Sequence, residues 1–239
     1  MTGYAREKSF ALFTTGSHDC PYLPGRVART AFVDPHSTLS TDAYAALIQR
    51  GFRRSGPYLY RPACPACRAC QTLRIPVREF APKRRHRRCL QRNRGVVIRA
   101  LAPLYRPEHF ELYRRYIAAR HPGGSMDDPT EESYQGFLST EWCDTEFLEM
   151  RENGRLLGVA VVDNLDGALS AVYTFYEPGE PRRSLGTLAI LLEIREAARR
   201  GKDYLYLGYW IPQCERMAYK ADFRPHEVLN EHGDWRRVF

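Results

Sequence analysis

Two spacings of apolar residues alternate along this chain, one near 3.6 and one of 2, and they divide it into helices and strands. Tyr44, Leu47 and Ile48 share one face of a predicted helix over Ser40 to Gly51, with Ser40 or Thr41 as N-cap and Gly51 as its stop. Helical spacing returns after Pro107, a residue suited to a first turn, with Phe110, Tyr113, Tyr116 and Ile117 on one side until His121-Pro122-Gly123-Gly124 ends the element. A shorter helix is expected over Glu131 to Leu138. The period then falls to 2. Thr145 to Arg151, Leu156 to Asp163 and Leu169 to Tyr176 read as an antiparallel meander, joined by turns at Asn153-Gly154 and near Asp166-Gly167. Leu185 to Arg200 is helical again, largely apolar from Leu188 to Ala198 and stopped by Gly201, and a strand follows over Tyr204 to Gly208.

The N-terminal part is less regular. Pro21, Pro24 and Pro35 make residues 1–36 irregular or short-stranded, and Phe52 to Tyr60 reads as loop and strand. Arg61 to Cys70 holds two prolines and three cysteines and has no regular pattern, whereas Thr72 to Val77 alternates as a strand does. No repeat or low-complexity tract interrupts the chain. The fold expected is α+β: a Cys-containing α+β region over residues 1–106, then a mixed-sheet domain over 107–239. In the second part the order meander, loop, helix, strand makes the helix a right-handed crossover packed on one sheet face. That order resembles the N-acetyltransferase (GNAT) architecture.

Composition narrows the class. With 44% apolar, 12% aromatic and 27% charged residues the chain is a folded protein, and no apolar run approaches the roughly 20 residues that span a bilayer. Met1 to Phe13 contains Arg6, Glu7 and Lys8 and no signal-like apolar stretch, so a cytoplasmic location is expected, with no membrane partner. An odd number of cysteines, seven, argues against a disulfide framework. Charge is unevenly placed: residues 50–106 hold sixteen Lys and Arg against the single acid Glu79, a local +15 in a chain of net +8. Such polarity favours a polyanion, RNA above all.

Four motifs carry candidate chemistry. Arg182-Arg183-Ser184-Leu185-Gly186-Thr187-Leu188 lies between a strand and a helix start, where exposed N–H groups and the helix dipole favour a phosphate, and glycine permits its close approach. The tract Tyr204 to Ile211 leads to Cys214, Met217, Tyr219 and Lys220, and Gly208 within it marks a bulge or the close approach of another chain. Cys64-Pro65-Ala66-Cys67-Arg68-Ala69-Cys70 has metal-ligand spacing but is one ligand short; Cys20, His86 or Cys89 would complete a structural zinc site or an iron–sulfur cluster, and partly buried free thiols are the alternative. Lys83-Arg84-Arg85-His86-Arg87-Arg88, extended by Arg92 and Arg94, suits salt-dependent binding of an RNA backbone.

Taken in order, Ser170 to Tyr173, Pro178, Ser184-Leu185-Gly186, Glu193-Ile194, Tyr206-Leu207-Gly208-Tyr209, Ile211, Cys214 and Met217-Ala218-Tyr219-Lys220 resemble the C-terminal half of the arginyltransferase family of N-end rule enzymes. Gly51 to Gly56, Tyr60-Arg61-Pro62 and the three cysteines resemble the N-terminal half of its compact bacterial branch, the aspartate/glutamate leucyltransferases. The resemblance runs from about Cys20 to Trp235. It implies transfer of leucine from leucyl-tRNA to proteins beginning with Asp or Glu, creating an N-degron. Arginyl transfer to the same acceptors, a coenzyme A-dependent N-acetyltransferase and a non-catalytic zinc-ribbon RNA binder are the competing readings.

An aminoacyl-tRNA is already an activated ester, so transfer needs positioning and oxyanion stabilisation more than acid–base power. A free α-amine near pKa 8 costs only about 1 kcal/mol to supply at pH 7, so direct aminolysis is expected, without a required cofactor. Tyr173, Ser184 and Tyr209 are the candidates for orienting the amine or polarising the carbonyl. Arg84, Arg85, Arg87, Arg88, Arg183 and Gly186 are the candidates for holding tRNA, and Arg53, Arg54 and Lys220 for pairing with an acidic acceptor side chain. Cys20, Cys64, Cys67 and Cys70 form the candidate metal set.

Overall fold

The structure is a computed structural model that describes residues 9–124 and 126–239. The signal-peptide reading of Met1 to Phe13 falls mostly outside them. The N-terminal part is built from short strands, β1 (Leu12–Thr14), β2 (His18–Asp19), β3 (Val27–Ala28) and β4 (Thr30–Val33), then helix α1 (Thr41–Ile48), β5 (Arg53–Ser55), β6 (Tyr58–Pro62) and β7 (Gln71–Pro76). Helix α2 (Arg84–Arg92) and β8 (Val97–Leu101) lead to α3 (Pro107–Arg120) and α4 (Glu131–Leu138). The meander is β9 (Thr145–Glu152), β10 (Arg155–Leu165) and β11 (Ala168–Tyr176), followed by α5 (Leu185–Arg199), β12 (Tyr204–Trp210), α6 (Glu215–Ala218), β13 (His226–Leu229) and β14 (Trp235–Val238).

Local chemistry explains where these elements stop and start. Ser40 caps α1 by accepting from the N–H of Ala43 at 3.2 Å, and Pro107 opens α3 where its missing N–H costs nothing. Asn153 and Gly154 both take positive φ, as the tight turn between β9 and β10 requires.

Eight strands form one sheet in the order β14-β13-β7-β12-β11-β10-β9-β8, and β1-β4-β6-β5 form a smaller one. Within the large sheet β11 and β12 are the parallel pair, and α5 is their crossover, as the GNAT-like order predicts. Helices cover both faces. Leu148, Met150, Ala160 and Val162 point toward α5, while Phe147, Val159 and Val161 join Leu112, Ile117 and Leu138 of α3 and α4. Each of the larger side chains among them, fully buried, contributes about 1.5–3 kcal/mol. Burial on both faces explains why β10 is almost continuously apolar.

The sheet also crosses the division expected at residue 106. β7 lies in its interior between β12 and β13, and β8 forms its far edge beside β9, so both strands belong to the same sheet as the meander. Local periodicity identifies β7 as a strand but does not reveal its partners, which lie more than 120 residues further on.

Candidate active site

The parallel pairing of β11 and β12 covers only Ala168–Tyr204, Leu169–Leu205 and Ser170–Tyr206, after which the strands part. Each strand shifts register against its other neighbour at this point. In β11 the pairing jumps from Ala171 to Tyr173 opposite consecutive residues of β10, and in β12 from Tyr206 to Gly208 opposite consecutive residues of β7. Gly208 has φ +78°, and a Cβ there would stand 3.1 Å from Arg53 Nε and 3.2 Å from its Cζ. Glycine is required for both reasons. The expectation of a close approach at Gly208 is met by an arginine.

That arginine fills the apex. Arg53, only 6% exposed, donates from Nη1 to Ser170 Oγ at 3.2 Å and from Nη2 to the carbonyl of Ala171, an acceptor that β12 abandons as it diverges. Across the opening, Lys220 Nζ donates to the carbonyl of Tyr209 at 2.7 Å. Two cations therefore satisfy carbonyls on the two parted strands. Burial first and the Arg53 charge second pull the Lys220 amine down to about 7. Among the described residues Arg53 has no carboxylate within ion-pair distance.

The other acceptor candidate behaves differently. Arg54 points into the protein and forms a two-pronged pair with Asp163 of β10, Nε to Oδ2 and Nη2 to Oδ1 both at 2.7 Å, while its remaining donors go to the carbonyls of Gly56 and Leu138 and to Thr145 Oγ1. Every guanidinium nitrogen is engaged and the pair is sealed from solvent, so Arg54 is a structural residue and not an acceptor ligand. Alternation along β5 sends adjacent arginines to opposite destinations.

Of the residues proposed for chemistry, Tyr173 lines the β11 wall. Its ring packs edge-on against Tyr113, Tyr116 and Phe137, its hydroxyl is buried without a protein partner, and burial pushes its pKa up, keeping it a donor. Tyr209 is a correction: its hydroxyl donates to the carbonyl of Gly51 at 2.9 Å and lies 3.3 Å from that of Tyr60, which ties β12 to the smaller sheet and removes it from the reacting centre.

Ser184 begins α5 in the left-handed conformation, φ 54° and ψ 49°, and its hydroxyl forms no capping bond. The Gly186 Cα faces the Tyr176 ring: a Cβ there would lie 3.2 Å from Cε1, so the missing side chain makes room for that ring. Arg183 is likewise engaged, with Nε on Asn93 Oδ1 at 2.7 Å and both terminal nitrogens on Glu152 at 2.8 and 3.1 Å. It anchors the loop and is not an open phosphate ligand.

Most of the basic run lies on helix α2. His86, Cys89 and Asn93 form its inner side, and Arg84, Arg85, Arg87, Arg88, Arg92 and Arg94 are exposed. Arg85 pairs with Asp222 at 2.5 Å, Arg92 reaches the carbonyl of Arg182, and Asn93 Nδ2 donates to that of Arg183 at 2.9 Å. The positive surface is thus joined to the start of α5, beside the opening between the strands.

Cys20, Cys64, Cys67, Cys70 and Cys214 share one neighbourhood. Burial first, and then the nearness of the other four thiols, pushes Cys70 up to about 12. Cys64 Sγ donates to the carbonyl of Arg29 at 3.7 Å, and Cys20 Sγ accepts from the N–H of Leu23 at 3.4 Å. Among the described residues no group of three or more His, Cys, Asp or Glu side chains is arranged to hold a metal ion. The thiols as placed are gathered without forming a coordination sphere.

Sequence reasoning gave no role to Glu193, which is 1% exposed at the back of the opening and has both carboxyl oxygens unpartnered. The signal was an acid at a core-facing position of an otherwise apolar helix stripe.

A crossover helix laid over two parallel strands that part around buried cations is the arrangement of an acyl-transfer enzyme. Family models described as arginine-tRNA-protein transferase match here, the N terminus over residues 18–88 and the C terminus over residues 108–230, and the chain belongs to that family. An aspartate/glutamate leucyltransferase of Alkalilimnicola ehrlichii is 58% identical over 228 residues, 95% of each chain. One of Halorhodospira halophila is 52% identical, covering 94% of this chain and 96% of its own, and one of Alcanivorax borkumensis is 48% identical, covering 94% and 92%. Among solved structures, L-PGS from Bacillus licheniformis matches 70% of this chain and 50% of its own with a TM-score of 0.46 and 12% identity, too distant a likeness to add to the reading.

Proposed function

We propose that this protein transfers leucine from leucyl-tRNA to the N-terminal Asp or Glu of other proteins, in the cytoplasm, and so creates an N-degron. The activity named for its relatives supports the donor and the acceptors. The observation that carries the acceptor choice is Arg53, a buried guanidinium with no carboxylate partner among the described residues, set opposite Lys220. A buried positive charge of this kind is stabilised by an arriving carboxylate. Lys220, whose amine titrates near neutrality, takes up a proton when that carboxylate enters.

In this reading the exposed arginines of α2 hold the tRNA backbone and deliver its 3′ end past the start of α5 to the parted strands. The acceptor's side chain lies against Arg53 and Lys220, which brings its α-amine beside the ester carbonyl. The amine nitrogen bonds to the carbonyl carbon and the bond to the ribose oxygen breaks. Tyr173 is placed to donate a hydrogen bond in this cleft. No helix of the described residues is long and apolar enough to cross a membrane.

Incubation with labelled leucyl-tRNA or arginyl-tRNA, and with peptides beginning in Asp, Glu, Arg or Lys, tests the proposal. Leucine should appear on Asp and Glu peptides alone. Labelling from arginyl-tRNA would reassign the donor, and labelling of Arg or Lys peptides would reject the role of Arg53 and Lys220.

A further inference from the structure

Glu193 is buried where an apolar residue would satisfy packing. Along α5 the side chains of Leu188, Ala189, Ile190, Leu191, Ile194 and Ala197 are buried in the main core cluster, and Glu193 is buried on the same helix. Neither carboxyl oxygen finds a donor in the protein, although almost every buried polar group in a folded chain does. The charged groups that face it are Arg53, from β5, and Tyr219, from the turn Tyr219–Asp222 that follows α6. Tyr219 itself is 45% exposed. Arg53 meanwhile spends its hydrogen bonds on Ser170 and Ala171 and leaves the carboxyl unanswered.

We propose that Glu193 is the proton acceptor for the acceptor's α-amino group, within the transfer reaction proposed above and dependent on it. The amine's lone pair forms the new C–N bond as the ester carbon–oxygen bond breaks. The surplus proton on nitrogen passes to the Glu193 carboxylate and from there to the departing ribose oxygen, so the enzyme ends as it began. The environment suits the task. Burial pushes the carboxyl up to about 8, with Arg53 opposing, which is close to the pKa near 8 of an α-amino group. Proton transfer between matched groups is nearly balanced and therefore reversible within one turnover. The same guanidinium that draws the acidic side chain also sits beside the base, so one short residue, Asp or Glu, engages both.

The test uses the full chain, saturating leucyl-tRNA and an Asp-starting peptide under single-turnover conditions from pH 6 to 9.5, comparing wild type with Glu193→Gln and Glu193→Asp. Glu193→Gln should lower the transfer rate at pH 7 on the order of 10² to 10³-fold. Leucyl-tRNA binding should be unchanged, and the deficit should widen as pH rises toward 8 and the Glu193 carboxyl ionises, because the wild type gains its base there and the glutamine variant does not. Glu193→Asp keeps a carboxylate at shorter reach and should retain a wild-type-shaped pH profile at reduced rate; it carries the comparison if the glutamine variant does not fold. A deficit equal at every pH, or an unchanged rate and profile, overturns the assignment. Failure of the wild-type protein to transfer leucine at all would instead reject the parent reading, so the two failures are distinguishable.

Discussion

Arg54 and Asp163 face each other through two 2.7 Å hydrogen bonds, and neither side chain is exposed to solvent at all. The pair joins β5 of the smaller sheet to β10 of the larger one. Removing one partner leaves the other charged and buried, a loss of about 3–5 kcal/mol. Arg54→Ala should therefore lower the urea midpoint sharply. An unchanged midpoint with a raised KM for Asp-starting peptides would return Arg54 to the acceptor site.

Gly208→Ala forces a side chain into a left-handed conformation, at a cost of about 1–3 kcal/mol, and drives its Cβ against the Arg53 guanidinium. Arg53 should be pushed off the Ala171 carbonyl. Transfer to Asp-starting peptides is expected to fall on the order of 10²-fold, while leucyl-tRNA binding holds. Filter binding and single-turnover transfer separate the two effects.

Lys220 and Glu193 should bend the pH–stability profile in opposite directions. The Lys220 amine falls from 10.5 to about 7 through burial and Arg53, so between those values the unfolded chain binds more protons and stability rises with pH. The Glu193 carboxyl rises from 4.5 to about 8 through burial, so between those values the folded chain binds more protons and stability falls as pH rises. Lys220→Met should remove the rise on the alkaline side, and Glu193→Gln the fall below pH 8. Urea midpoints of the three proteins from pH 5 to 10 measure both slopes.

Replacing Arg84, Arg87, Arg88 or Arg92 by Gln should reduce the slope of log affinity for tRNA against log salt by about 1 for each phosphate contact removed. Arg183→Gln should behave otherwise, lowering the melting temperature through the loss of Glu152 and Asn93 as partners and leaving the slope intact.

Elements whose instructions are local could be read from the sequence. Ser40, Pro107 and Asn153-Gly154 fix ends and turns through their own backbone chemistry, and the meander, crossover helix and strand appear where alternation and helical spacing place them. Gly208 was also legible, because few strands tolerate a glycine without a neighbour pressing close. Partnership was not legible. Arg53 and Arg54 are the same residue type in adjacent positions, and only strand direction sends one to the opening and the other to Asp163. Tyr209 looked chemical until its hydroxyl met the carbonyls of Gly51 and Tyr60, and Glu193 looked like an ordinary helix acid until packing left it without a donor.

The position of β7 has a consequence for how this enzyme can change over generations. Its backbone is hydrogen-bonded between β12 and β13, so the two halves matched by separate family models, 18–88 and 108–230, are woven into one fabric. Neither half can be exchanged with a distant relative's without a matching seam along Leu73 and Arg74. A change that parts the two halves therefore opens the sheet itself.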